Sequence, residues 1–170
     1  MSAFYWSQCL IAIAILFDLA SFQFKDRRKI VACLAVAGAL IASHFFLLEQ
    51  YTAAGLMAVA VTRYFLSIFT TSKRVMFVFI IIAMVVTSLT YSGVISLISF
   101  TGATLQTIAA FCQQDKKLRQ FMIIGTSVWL VHNALVGSPT AVLMEALFIS
   151  SNLIGYYRFY ISPNTNKLNY

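Results

Sequence analysis

Long apolar runs and short polar breaks alternate along this chain. Apolar runs occupy residues near 3–24, 30–48, 52–70, 75–90, 93–112, 120–136 and 140–160. None shows the apolar–polar alternation of a half-buried strand or of a lipid-exposed barrel strand, so the runs predict helices. Lys and Arg gather between them in four islands: Lys25 to Lys29, Lys73 with Arg74, Lys116 to Arg119, and the tail bearing Arg158 and Lys167; Arg63 alone stands apart.

The islands fix the count of helices. Val75 to Gln114 holds no charged residue, and at ~1.5 Å rise per residue a continuous helix there has about twice the length of ~30 Å of hydrocarbon. The segment is expected to cross twice, turning at Tyr91, Ser92 and Gly93. The two other intervals turn at Glu49, Gln50 and Tyr51 and at Gly137, Ser138 and Pro139, where polar, Gly and Pro residues interrupt the apolar sequence. With the first run, this predicts seven transmembrane helices. Every basic island then lies on one face, and the opposite loops carry no Lys or Arg, so that face is read as cytoplasmic. The expected fold is an all-α integral membrane protein with its amino terminus outside and its carboxyl terminus in the cytoplasm. Tyr5, Trp6, Tyr51, Tyr91, Tyr156, Tyr157 and Tyr160 suit interfacial anchors, whereas Trp129 lies deeper and is expected to pack.

Composition agrees with the bilayer as solvent: 61% of residues are hydrophobic, 10% are charged and the mean hydropathy is +0.85, against about a quarter charged in a soluble domain. The net charge of +7 sits in loops and forms no nucleic-acid-binding face. The first run lacks a basic leader and a small-residue cleavage site and carries Asp18, so it is read as a retained helix. Cys9, Cys33 and Cys112 are odd in number and lie within apolar runs, which predicts neither disulfides nor a zinc site.

Laying the first three helices over the last three at an offset of 88 residues pairs His44 with His132, Leu47 with Leu135, Thr52 with Thr140, Ala53 with Ala141 and Ala58 with Ala146. At 89, Ala20 meets Ala109, Phe22 meets Phe111 and Asp26 meets Asp115. The chain therefore reads as one polytopic domain: repeat one at 3–70, a linking helix at 75–90, repeat two at 93–160 and a tail at 161–170. Three helices, one linker and three helices make the repeats parallel, a layout that in transporters places the substrate site between the halves.

The segments HFFLL at His44 to Leu48 and WLVHN at Trp129 to Asn133, with Met144, Glu145 and the stretch Asn152 to Tyr160, resemble bacterial inner membrane proteins of the YgjV type across nearly the whole chain. That resemblance implies an inner-membrane location. The three-one-three layout is more distantly similar to SWEET, SemiSWEET and PQ-loop transporters. Their Pro-Gln hinge has no match, since Pro139 and Pro163 lie outside helix interiors, and of their paired Asn residues only Asn152 is matched, with Tyr64 at the partner position.

Ionisable residues within bilayer spans are functional candidates by default. Asp18 and Arg63 are placed to pair within the first unit, with snorkelling of Arg63 or a substrate or gating role as the alternatives. His44, His132, Asn133 and Glu145 lie toward the outer ends of their helices and are expected to form a polar cluster, whether as a hydrogen-bonded brace, a proton relay or ligand site, or a metal or haem site. Gln106 and Asn152 are expected to join helices or contact a solute. Ala35, Gly38, Ala39 and Ala42 permit close packing of the second helix. No phosphate loop, zinc helix or nucleophile elbow occurs, so no enzyme and no cofactor are expected. The leading expectation is a transporter-like protein binding a small polar solute between its repeats. A membrane scaffold that binds a partner protein and a haem- or metal-binding protein are the alternatives, and oligomeric state is left open.

Overall fold

The computed structural model describes residues 3–47, 51–91, 93–136 and 139–162. Seven α-helices follow one another: α1 (Ala3–Ser21), α2 (Arg27–Leu47), α3 (Tyr51–Phe69), α4 (Lys73–Leu89), α5 (Val94–Ala110), α6 (Asp115–Val136) and α7 (Pro139–Tyr156). A π-turn, Tyr157–Ile161, continues α7. The even-numbered helices start within or beside basic islands, because Arg27, Lys73 and the Asp115–Arg119 stretch form their first turns instead of open loops.

The break expected at Tyr91 to Gly93 exists. α4 closes with the Thr90 amide donating to Val86 O, and Gly93 takes φ 99°, a left-handed conformation that a residue without Cβ adopts at little cost. The turn centres Glu49–Gln50 and Gly137–Ser138, and the tail from Pro163 onward, lie outside the described residues. Pro139 opens α7, where its missing N–H costs no helical bond.

α1, α2 and α3 pack consecutively, as do α5, α6 and α7, while α4 leans on α3 and α5. Two pairings join the three-helix units: α1 against α7 and α3 against α5. Exchanging the units, first helix for first and third for third, turns one pairing into the other. Phe22 and Phe111, which the 89-residue offset superposes, are both buried in the core, and Phe22 meets Phe148 edge to face with ring centroids 4.9 Å apart. Gly38 keeps α2 close to α3, for a Cβ there would lie 3.1 Å from Val61 Cγ2.

The exterior is apolar, and buried polar residues lie beside the apolar core. Leu16, Phe46, Phe69, Leu89 and Ile154 are exposed, whereas Ser7, Ser67, Thr107, Arg119, Thr126 and Asn152 are buried. Extensive apolar exposure of this kind calls for a non-aqueous surround. Among the described residues, however, no helix is long and apolar enough to cross a membrane. α4 and α5 have 17 residues each, and α6 opens with Asp115, Lys116, Lys117 and Arg119.

Candidate functional site

A cavity of ≈ 50 Å³ lies where the two units meet. Asp18 enters it from α1, Tyr64 from α3, Gln106 from α5 and Glu145 from α7, and its walls include Leu34, Gly38, Ile41, Met57 and Phe148. Asp18 is 7% exposed, and its carboxylate finds no hydrogen-bond donor among the described residues. Glu145 Oε1 accepts from Asn133 Nδ2 at 3.4 Å, and Asn133 Oδ1 lies 3.2 Å from His132 Nδ1. Three of the four residues expected to cluster thus form a chain ending in the cavity. His44 does not join them: its Nδ1 lies 3.0 Å from the Ser7 carbonyl oxygen, which ties α2 to α1.

The expected Asp18–Arg63 pair does not form. Arg63, 3% exposed, turns toward the other unit, where Nη1 donates to Thr107 Oγ1 at 2.8 Å and to Ala103 O at 3.3 Å, while its guanidinium lies over Tyr64, 4.4 Å from the ring centroid. Thr107 Oγ1 in turn donates to Ala103 O, at 2.7 Å. Nε and Nη2 of Arg63 have no hydrogen-bond partner among the described residues. Arg63 therefore neither snorkels nor neutralises Asp18. It fastens α3 to α5.

Asn152 also lies away from the cavity. Its Nδ2 donates to the Arg119 carbonyl oxygen at 2.9 Å, and its Oδ1 is buried without a donor. It belongs to a second polar assembly, at the end of the bundle where the basic islands meet. There Arg119 Nη1 donates to Phe22 O at 3.0 Å and Nη2 to Phe24 O, holding the turn that follows α1. Asp115 lies 3.7 Å from Nε, and the Phe22 and Phe159 rings stack near the guanidinium. The π-turn brings in Phe159, Arg158, whose Nη2 donates to Gln23 O at 2.6 Å, and Tyr160, whose hydroxyl donates to Asp115.

Arg27 repeats this arrangement in reverse. From the start of α2 it donates through Nε to Cys112 O at 2.6 Å, and through Nη2 to Ala110 O at 2.7 Å and Ser67 O at 2.6 Å. Both guanidinia stay charged.

Sequence reasoning treated these arginines as loop charges. The signal that marks them is the pair of offset matches beside them, Asp26 with Asp115 and Phe22 with Phe111. Trp129 packs as expected, edge to face on His132 at 5.1 Å, and close to Gly102, where a Cβ would lie 2.8 Å from its Nε1. Among the described residues no group of three or more His, Cys, Asp or Glu could hold a metal ion.

Residues 5–162 match the family model Imp-YgjV, described as a bacterial inner membrane protein. The chain is 29% identical over 160 residues to the inner membrane protein YgjV of Escherichia coli (strain K12), covering 94% of this chain and 87% of that protein. No solved structure matches it. An apolar exterior enclosing buried polar residues is what an inner-membrane location requires, and the family match extends over both three-helix units: the chain belongs to the YgjV family of bacterial inner membrane proteins.

Proposed function

We propose that this protein is a multi-pass, transporter-like protein whose seven helices cross the inner membrane and whose two parallel three-helix units handle a small polar solute at the seam between them. The observation that carries this reading is the cavity itself, since both units contribute polar side chains to it: Asp18 and Tyr64 from one, Gln106 and Glu145 from the other. A site made of both units changes shape whenever one tilts against the other. The exchangeable α1–α7 and α3–α5 pairings support such a tilt. Arg27 and Arg119 stitch the units together at the basic end, which the positive-inside bias assigns to the cytoplasm. In this reading the cytoplasmic end is shut.

Uptake of labelled sugars and nucleosides into proteoliposomes, compared with Glu145→Ala and Arg63→Ala, tests the proposal. Flux through the natural sequence that falls in the Glu145 variant is expected. No flux above empty liposomes, for any solute in the panel, would sink it. The small size of the cavity favours a second reading, a non-transporting scaffold whose buried polar groups only join helices, and a partner protein recovered by crosslinking in place of any flux would support that instead.

A further inference from the structure

We propose that the cavity between the units binds one small monovalent cation, a proton or a sodium ion, between the carboxyl groups of Asp18 and Glu145, and that this cation is coupled to solute movement; the inference rests on the transporter reading above. Three observations lead to it. The volume of ≈ 50 Å³ has room for an ion with a few waters, and a solute as large as a sugar fits beside it only once one unit tilts against the other. Its polar lining consists of two carboxyls, an amide and a phenol, each from a different helix, with no Lys, Arg or His among the lining residues. The Asp18 carboxyl is buried, lines the cavity and has no hydrogen-bond donor among the described residues.

Surrounding groups sharpen the case. Asp18 from α1 and Glu145 from α7 line the same small cavity. Tyr64 on α3 and Gln106 on α5 line the cavity beside them. On α6, His132 reaches Glu145 only through Asn133. Arg63, the cation on α3 beside Tyr64, is committed to Thr107 and Ala103. Two ionised carboxylates in such an enclosure are strongly unfavourable, so at least one positive charge must enter with them or reside on them. Loading it draws α1 and α7 together, and α1–α7 is one of the two seams between the units. Cation occupancy and the relative tilt of the units are thereby linked, as coupling requires.

The test has two readouts. In proteoliposomes, solute flux is measured with an imposed pH gradient, with an imposed sodium gradient and with neither, for the natural sequence and for the near-isosteric Asp18→Asn and Glu145→Gln. Dependence on one gradient, lost in both variants, is expected, and the effective gradient names the ion. Flux indifferent to both gradients overturns the cation site while leaving the transporter reading intact. Without solute, infrared difference spectra of the lipid-reconstituted protein are recorded on shifting pH and on exchanging potassium for sodium. A carboxyl band that responds to one of these and disappears in Asp18→Asn or Glu145→Gln supports the site even where no flux is found. A spectrum unchanged by both overturns it. Helical content and monodispersity of the variants report their folding.

Discussion

Arg27 grips the end of α5 and Arg119 grips the end of α1, so each three-helix unit holds the other by the corresponding helix. A guanidinium suits this task because its fixed fork reaches several carbonyl oxygens at once, whereas an ammonium is a point charge. Arg119→Lys is therefore expected to behave almost like Arg119→Ala, each costing about 3 kcal/mol, since charged hydrogen bonds are lost and buried carbonyls are left open. Thermal unfolding in detergent or lipid nanodiscs measures this. A lysine variant as stable as the natural sequence would contradict the fork argument.

Gly155 sits where any side chain would collide with the Phe22 carbonyl oxygen and Arg119 Nη1. Gly155→Ala is expected to cost about 1–3 kcal/mol through overpacking. Gly55, with nothing within 4 Å of a Cβ, is the control: alanine there is expected to be neutral or to add up to about 1 kcal/mol from helix propensity. Equal melting temperatures for the two variants would refute the placement of Arg119 against α7.

Thr107 supplies the hydroxyl on which Arg63 rests. Thr107→Val keeps the shape and removes that acceptor, leaving a buried guanidinium with still fewer partners, at an expected cost of about 2–3 kcal/mol. Thr107→Ser is expected to retain most of the stability. If valine and serine variants unfold together, the Arg63–Thr107 contact contributes nothing.

The topology proposal is tested by reporter fusions. Alkaline phosphatase fused after residue 50, 92 or 138 is expected to be active, and fused after residue 25, 72 or 114 to be inactive. An active fusion after residue 72 would break the three-one-three arrangement, because that loop has to share a side with the other basic islands.

The seven helices were legible because charge is expensive in an apolar run, so the islands had to mark the connections. The seam between the units was legible only in outline. Asp18 and Arg63 look like partners because both sit toward the same end of helices in one unit, but rotation about Arg63's side chain decides which neighbour it meets, and Thr107 lies 44 residues further along, on α5. Asn152 is expected from the sequence either to join helices or to contact a solute, and its bond to the Arg119 carbonyl oxygen makes it a joint between α7 and α6. Depth can be read from hydropathy. Azimuth around the helix, in a chain apolar on nearly every face, is set by tertiary contacts.

The apolar exterior described above separates two roles that water-soluble proteins combine in the same residues. Leu16, Phe46, Phe69, Leu89 and Ile154 face outward, and the buried polar brackets are made without them. The outward residues specify the medium, and the brackets specify the shape. Repainting those outward positions with Glu, Lys and Gln is thus a route to a water-compatible relative with the same interior.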